Sequence, residues 1–360
     1  MPETVSIGVL GAGGIARRFV ADLSASHGIR VSAIASRQSE RARHCRDLGG
    51  AIAANATIYT DYEALLADPN VDAVYVALPN SLHKQVSLDA IAGGKAVLCE
   101  KPLADSAAAV REILEASQAA QVFCMENMWT RFLPVTRTCR EIVAAGEIGD
   151  IVQFDCSLGY PQFETPGQSN VDPALGGGVL LDLGVYPISM ALHFLGDVSF
   201  QSGAVEYSAL GADRDMATLL TSRSGAGTVM ATLRASHSAV LRNTMEIVGT
   251  RGRIEIDPAF IAANSARISR FSPVSPDGRE GSGWKRRLKS SAMGRIAFAQ
   301  ARRLLVGSGK RFGTSYPGTG MQFAAESMAQ SLRDGRIEAS EMPMGESLRV
   351  LEIVESIRSA

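Results

Sequence analysis

The chain has 360 residues, of which 46% are hydrophobic and 20% are charged, and its formal net charge at pH 7 is -1. This composition is typical of a globular protein, and the length favours two domains that each bury a core. A net charge so close to zero creates no field that would attract nucleic acid or a membrane surface. We therefore exclude both as partners and expect a small-molecule substrate.

The first 124 residues alternate between short β-branched strands and alanine-rich helices. We predict strands over 5–10, 30–35, 73–78, 96–99 and 122–124. We predict helices over 39–48, 61–66, 83–92 and 106–118. A repeated strand–helix–strand pattern indicates a doubly wound parallel sheet, so residues 1–124 are expected to form an α/β domain.

The pattern changes after a further predicted helix over 135–145. We predict strands over 151–158, 228–234, 244–248 and 253–257, and helices over 321–332 and 346–357. Some of these strands alternate apolar with polar residues, as Ile254, Glu255 and Ile256 do, which predicts an antiparallel sheet with one covered face. Residues 125–360 are therefore expected to form a second, α+β domain.

A basic segment over 265–316 interrupts this second domain. Its cations include Lys285, Arg286, Arg287, Lys289, Arg302, Arg303, Lys310 and Arg311. We interpret it as a solvated insertion, with contact to a phosphate-rich or acidic partner as the alternative. Within it, residues 296–306 can form an amphipathic helix, which more often serves packing or dimerisation than membrane anchoring.

Five cysteines are spread along the chain without a CxxC pair. Their spacing argues against a disulfide framework and against a zinc knuckle, and no His, Asp or Glu cluster has metal-ligand spacing. The N-terminus carries no signal-peptide pattern. We therefore expect free buried thiols, no bound metal and a cytoplasmic protein.

A glycine-rich motif, GAGGIA, follows the first predicted strand and opens a helix. Gly11 permits the tight turn, Gly13 lets the backbone approach a pyrophosphate, and Ala16 allows close helix-to-strand packing. Gly14 and Ile15 belong to the helix N-terminus, whose free N–H groups face the phosphates. This context predicts a dinucleotide-binding Rossmann domain, and a glycine-rich turn without a ligand is the alternative.

The end of the second predicted strand indicates which dinucleotide is bound. An NAD site usually places a carboxylate there to hold the ribose 2′-hydroxyl, but this sequence has Ser36 and Arg37 instead. A guanidinium next to a hydroxyl suits a 2′-phosphate, and Arg41 is placed to assist. We therefore predict NADP, with NAD as a possible cofactor. The alternative is that these arginines only occupy the surface at a helix start.

Two longer motifs, VYVALPNSLH and GKAVLCEKP, resemble those of the Gfo/Idh/MocA oxidoreductase family. The segments MWTRFLP and GGGVLLDLGVY are similar to the dihydrodiol dehydrogenase and NADP-dependent D-xylose dehydrogenase branch. The resemblance covers nearly the whole chain except 265–316. It implies a Rossmann domain followed by an open, mostly antiparallel sheet that makes a homodimer or higher oligomer, with substrate between the nicotinamide and the sheet. It also implies cofactor contacts by Leu78, Pro79, Asn80, His83 and Glu100, although a helix cap or surface position is the alternative for His83.

Three side chains fit the oxidation of an alcohol by a nicotinamide, which needs a base and no metal. Lys101 lies at the carboxyl end of a predicted parallel strand, where such sheets bind ligands. Asp182 and Tyr186 share one face if residues 179–195 are helical, although Pro187 disturbs that spacing. We predict that Tyr186 exchanges the proton. Lys101 then fixes the substrate oxygen and lowers the pKa of Tyr186, and Asp182 orients Lys101 or a substrate hydroxyl.

Other readings of these residues stay open. Lys101 can be a surface lysine at a strand end, and Tyr186 a core aromatic residue. Trp129 and Arg131 can wall the substrate pocket, or Trp129 can belong to the core at the domain junction. His193 is interpreted as structural. In the wider family His commonly stands where this chain has Tyr186, so the Tyr favours the dihydrodiol branch.

The sequence therefore predicts an NADP-dependent oxidoreductase that transfers a hydride between the cofactor and a hydroxyl or carbonyl of a sugar or cyclic diol. One alternative is a keto-sugar reductase that works in the opposite direction. Another is a non-catalytic regulator that binds the dinucleotide to sense redox state. The proton-transfer residues argue against this regulator, because a sensor has no use for them.

Overall fold

The computed structural model describes residues 4–270 and 309–360, which form two sheets with their helices. The helix predicted over 296–306 lies outside the described residues, as does the interior of the predicted insertion. In the part of the chain that is described, no helix is both long enough and apolar enough to cross a membrane.

The first sheet has six parallel strands in the spatial order 3-2-1-4-5-6. The strands are β1 (Val5–Leu10), β2 (Ile29–Ala35), β3 (Thr57–Tyr59), β4 (Ala73–Val76), β5 (Ala96–Glu100) and β6 (Cys124–Asn127). The helices are α1 (Gly14–Leu23), α2 (Ser39–Leu48), α3 (Tyr62–Leu66), α4 (Asn80–Ala92) and α5 (Ala107–Ala120). Strands β1, β4 and β5 are buried along their whole length, as expected when helices cover both faces of a parallel sheet. The predicted doubly wound α/β architecture is confirmed.

The last strand of this sheet continues past residue 124, where we predicted the end of the first domain. We predicted a strand over 122–124, but β6 begins at Cys124, so a boundary at 124 cuts through the sheet. Glu126 and Asn127 are fully buried in β6, and polar residues of this kind do not register in a hydrophobic pattern. The three-residue strand β3 was also missed, because it is too short for a periodic pattern.

The second sheet has eight strands in the order 14-13-12-11-7-10-9-8, and only β7 and β10 pair in parallel. The strands are β7 (Ile151–Gly159), β8 (Ser199–Tyr207), β9 (Asp213–Ser224), β10 (Gly227–Ser236), β11 (Met245–Gly249), β12 (Gly252–Ile256), β13 (Ser265–Arg270) and β14 (Lys310–Gly313). Apolar residues such as Ala231 and Ile254 are buried on one face, while Thr232 is exposed on the other. The prediction of a mostly antiparallel sheet with one covered face is confirmed.

Two strands of this sheet lie inside the segment that we predicted to be an insertion over 265–316. Strand β13 pairs with β12, and β14 pairs with β13, so both ends of the segment belong to the sheet. In β13 the buried residues Ala266 and Ile268 alternate with polar ones, but the basic composition hid that pattern from us. The predicted insertion is therefore too long at both ends.

The remaining helices surround the second sheet and return to the first. They are α6 (Pro134–Ala144), α7 (Val185–Leu195), α8 (Gln322–Arg333) and α9 (Met344–Arg358), and a π-helical turn (Leu180–Gly184) precedes α7. Helix α7 packs on the covered face of the second sheet, and α9 packs on both α7 and α5. The C-terminal helix thus ties the second domain to the first.

Arg131 has a structural position that differs from the one we predicted. Its side chain is 0% exposed. The guanidinium donates to the hydroxyl of Ser189 at 2.8 Å, to the Ser189 carbonyl at 2.7 Å and to the Glu341 carbonyl at 3.0 Å, and it pairs with Glu346. Since these contacts are internal, Arg131 does not wall a substrate pocket. It holds α7 against the segment that leads into α9.

We predict that Arg131→Met lowers the free energy of unfolding by about 3 kcal/mol, because buried carbonyls and a carboxylate lose their donor. The matched control is Arg336→Ala, which breaks an exposed pair with Asp334 and should cost less than about 0.5 kcal/mol. Urea unfolding measures both changes. An Arg131→Met protein with unchanged stability and a raised KM would instead restore the pocket role.

Candidate active site

The dinucleotide loop lies between β1 and α1. Gly11 has φ +103°, and an added Cβ would lie 2.3 Å from the Ala77 carbonyl oxygen, so only glycine fits there. A Cβ at Gly13 or Gly14 would meet open space among the described residues. Gly13 caps α1 without a side-chain hydrogen bond in the described part of the chain, which leaves first-turn N–H groups for an anion. This cradle fits a dinucleotide pyrophosphate.

The end of β2 lies directly beside this loop, because the Gly11 N–H donates to the Ala35 carbonyl at 2.9 Å. Ser36 follows and is buried, and the exposed residues Arg37 and Arg41 lie next to it in the chain. Residues 35–38 read ASRQ and contain no carboxylate. The position therefore presents cations where a 2′-phosphate would lie.

The loops after β4 and β5 lie at the same edge of the first sheet, where we predicted the nicotinamide end of the site. The Asn80 side chain donates to the Gly176 carbonyl at 2.9 Å and so joins the first domain to the glycine run of the second. His83 is fully buried, with Nδ1 2.7 Å from the Pro102 carbonyl oxygen and Nε2 2.8 Å from that of Leu78. Both ring nitrogens thus face carbonyl oxygens of these loops, and the burial of His83 contradicts the surface reading, while its contact with the cofactor stays a prediction.

Glu100 lies behind this wall in a buried network. Its carboxylate accepts hydrogen bonds from Tyr75 and, at 2.6 Å, from Asn127. Burial raises the pKa of Glu100, although these two hydrogen bonds oppose the rise. Glu100, which is 4% exposed, therefore supports the end of β5, and its contact with the cofactor stays a prediction.

Lys101 follows β5 and forms an ion pair with Asp182 from the π-helical turn. The ammonium lies 2.9 Å from Asp182 Oδ1 and 2.6 Å from the Asp182 carbonyl oxygen. Burial opposes the charge on Lys101, but the charge of Asp182, its hydrogen bond and the nearby Tyr186 and Glu100 together outweigh burial and raise the pKa of Lys101 above its ordinary value. Burial likewise opposes the charge on Asp182, but Lys101 and a hydrogen bond from His237 lower its pKa to about 2. Both groups are therefore charged at neutral pH.

Tyr186 lies at the start of α7, beside this ion pair. The Lys101 ammonium is 5.1 Å from the centre of the Tyr186 ring, and the Trp129 indole N–H donates to the Tyr186 hydroxyl at 3.1 Å. Burial raises the pKa of Tyr186 to about 12, although the charge of Lys101 and the bond from Trp129 lower it in part. Lys101 thus lowers this pKa as we expected, but burial outweighs the ammonium, so the net change is a rise.

The π-helical turn explains how Asp182 and Tyr186 come together despite Pro187. The turn ends at Gly184 and α7 begins at Val185 with no break in the helical backbone, so Pro187 follows a wider turn, and π-helical turns accommodate such local disruption of helical hydrogen bonding. The predicted helix over 179–195 is thus two segments, and π-helical turns often occur at functional sites.

Gly178 has φ +131° and lets the backbone pass close to the Asp213 carboxylate, which accepts the Leu180 N–H at 2.7 Å.

His237 is a residue of this cluster that our sequence analysis missed. It follows β10, and its Nε2 lies 3.0 Å from Asp182 Oδ2. The two residues are 55 positions apart, and no spacing pattern joins them. The only available signal was a histidine at the end of a predicted strand.

Two further predictions concern histidine and metal. His193 is buried, and burial together with Arg131 and Arg140 lowers its pKa to about 2, so it is a neutral structural residue, as predicted. Across residues 4–270 and 309–360, no group of three or more His, Cys, Asp or Glu side chains is arranged to hold a metal ion.

Comparison with known proteins identifies the family. Residues 5–128 match the model described as "Oxidoreductase family, NAD-binding Rossmann fold", and residues 136–255 match the "GFO/IDH/MocA C-terminal domain". The D-xylose 1-dehydrogenase (NADP(+)) of Hypocrea jecorina is 32% identical over 98% of this chain and 91% of its own. The chain belongs to the Gfo/Idh/MocA oxidoreductase family. The predicted resemblance is confirmed.

Two more relatives show how far the likeness to this family extends. The trans-1,2-dihydrobenzene-1,2-diol dehydrogenase of Mus musculus is 30% identical over 98% of this chain and 96% of its own. The crystal structure of KijD10, a 3-ketoreductase from Actinomadura kijaniata in complex with NADP and TDP-benzene, matches with a TM-score of 0.77 and 27% identity. That match covers 99% of this chain and 97% of KijD10. As a member of the Gfo/Idh/MocA family, the protein is an oxidoreductase with a Rossmann domain.

We predict that Lys101 and Asp182 are strongly coupled in stability. Asp182→Asn leaves a buried ammonium without its partner and should cost about 3 kcal/mol of unfolding free energy. Adding Lys101→Met should recover part of that loss, with a coupling energy of about 1–3 kcal/mol. Urea unfolding of both single variants and the double variant measures the coupling.

The control cycle uses the exposed pair Lys84 and Glu112, whose side chains are 38% and 53% exposed. Lys84→Met and Glu112→Gln should couple by less than about 0.5 kcal/mol. If the effects of Lys101→Met and Asp182→Asn on the unfolding free energy were also additive, the ion pair would not stabilise the site.

Proposed function

We propose that this oxidoreductase uses NADP to oxidise a hydroxyl group of a sugar or a cyclic diol. The observation that carries the proposal is the cluster of Lys101, Asp182 and Tyr186 at the carboxyl end of the first sheet. Ligands bind at that edge in open α/β sheets. The relatives named for D-xylose and for trans-dihydrobenzenediol support the substrate class.

The reaction takes a hydride and a proton from a carbon–hydroxyl group and leaves a carbonyl. The bound nicotinamide supplies the hydride acceptor. In its phenolate form, to which the indole N–H of Trp129 donates, Tyr186 takes the hydroxyl proton and becomes the neutral phenol. Lys101 donates to the substrate oxygen while Asp182 holds its ammonium in place. The proton then passes to solvent, so each turnover yields one carbonyl, one reduced cofactor and one proton.

A second candidate function, reduction of a keto-sugar, is favoured by the protonation state of Tyr186. Burial raises the pKa of Tyr186 to about 12, so its hydroxyl keeps its proton at neutral pH. Reduction of a carbonyl requires that proton at the nascent alkoxide. KijD10, which is named a 3-ketoreductase, supports this direction. The regulator alternative has no such support, since the three relatives described above are named as enzymes.

The test is an assay of aldoses, inositols and cyclic diols with NADP, and of keto-sugars with NADPH, in which the absorbance of the reduced cofactor is followed. Tyr186→Phe removes the proton-transfer group and keeps the ring. We expect turnover to fall at least about 100-fold in the active direction. The Trp129 N–H loses its acceptor, so the unfolding free energy should fall by about 1 kcal/mol. Tyr207→Phe, on the exposed strand β8, is the matched control and should be neutral.

The cofactor preference is tested at Arg37. A charge-assisted contact with the 2′-phosphate is worth roughly 1.5–3 kcal/mol, so NADP should bind about tenfold to a hundredfold more tightly than NAD. Arg37→Ala should remove most of that difference by weakening NADP. Arg43→Ala is the control, because Arg43 is exposed in the same region but pairs with Glu40. Fluorescence titration of wild type and both variants with NADP and NAD measures these affinities. Equal wild-type affinities would mean that Arg37 faces away from the cofactor.

The proposal also covers the oligomeric state and the cellular location of the protein. The open face of the second sheet, which carries the half-exposed Met230, supports assembly into a homodimer or higher oligomer. The five cysteines are buried and free, which supports a reducing, cytoplasmic location.

A further inference from the structure

His237 holds a fixed place at the edge of the active-site cluster. Its backbone N–H donates to the Arg214 carbonyl at 2.9 Å, and its carbonyl accepts from the Gln162 N–H at 2.9 Å. The residue is 4% exposed. The end of β10 is therefore tied to the start of β9 and to the loop after β7, and the imidazole has little freedom to move.

The two carboxylate oxygens of Asp182 have different partners. Oδ1 accepts from Lys101 at 2.9 Å, and Oδ2 lies 3.0 Å from His237 Nε2. An ionised carboxylate only accepts hydrogen bonds, so Nε2 is the nitrogen that carries the hydrogen. Lys101 comes from the end of a strand in the first sheet and His237 from the end of a strand in the second. Asp182 is thus held from both domains.

This arrangement decides where the Lys101 ammonium lies. Lys101 also donates to the Asp182 carbonyl oxygen, and it lies 5.1 Å from the centre of the Tyr186 ring. If the carboxylate rotated, the ammonium would lose one of its two acceptors and its place beside the phenol. The contact from His237 opposes that rotation, because it engages the oxygen that Lys101 leaves free.

We propose that His237 is a positioning residue for the proton-transfer step: it fixes Asp182, and through Asp182 it keeps Lys101 beside Tyr186. Its side chain is only 3% exposed, so it acts through Asp182 and not by contact with substrate. The proposal rests on the proposed function, because the step it supports is the proton transfer at Tyr186.

Three variants of the full-length enzyme test this role. The amide nitrogen of Gln can take the position of Nε2, whereas Asn is one methylene shorter and Leu has no donor. We expect kcat to fall about tenfold to a hundredfold in His237→Leu and His237→Asn, and to stay within about threefold of wild type in His237→Gln. The Kd for NADP should stay within about twofold in all three, because His237 lies away from the dinucleotide loop.

Rescue by Gln separates positioning from a purely structural role, which would lower stability without this pattern in kcat. If His237→Leu does not fold, the Asn and Gln pair carries the comparison. Equal loss of kcat in the Gln and Asn variants, or loss of folding in both, would overturn the proposal. Absence of turnover with NADP in the wild type overturns the proposed function and this role with it. Wild-type turnover with an unimpaired His237→Leu enzyme overturns the role of His237 alone.

Discussion

The active site depends on one ion pair that spans the two domains. Lys101 extends from the end of β5, and Asp182 from the π-helical turn that precedes α7. Each charge is costly to bury alone, and each is stabilised by the other. The cost of separating them therefore holds the turn, the strand end and Tyr186 in one arrangement. The glycine run before the turn and the Asn80 contact to Gly176 let the two backbones approach closely.

The rest of the structure supports this pair from behind. Glu100, Tyr75 and Asn127 form a buried polar network across β4, β5 and β6, directly behind Lys101. Arg131 anchors α7, whose first turn carries Tyr186, and α9 packs across both domains. The three side chains of the proposed site are thus fixed by buried partners.

Features that depend on a local residue pattern could be predicted well from the sequence. Strand β1 was predicted to the residue, because a buried apolar run ends at a glycine turn. Contacts between distant segments could not be predicted in the same way. His237 meets Asp182 because the π-helical turn packs against β10, and no periodicity in the sequence predicts that contact. Arg131 was interpreted as a wall of the substrate pocket, and only the packed structure shows its four internal acceptors. The pKa of Tyr186 was misjudged because burial is invisible in a motif.

The central claim is that the Lys101 and Asp182 pair places the proton-transfer group beside the hydride acceptor. A crystal structure of the protein with NADP bound tests this claim most directly. Hydride transfer needs the reacting atoms to lie about 3–3.5 Å apart. Proton transfer needs a hydrogen bond to the oxygen on the carbon that loses the hydride. The account predicts that carbon C4 of the nicotinamide lies within about 5 Å of the Tyr186 hydroxyl, with Lys101 still bonded to Asp182. A nicotinamide ring bound away from Lys101, or an ion pair broken by the cofactor, would contradict it.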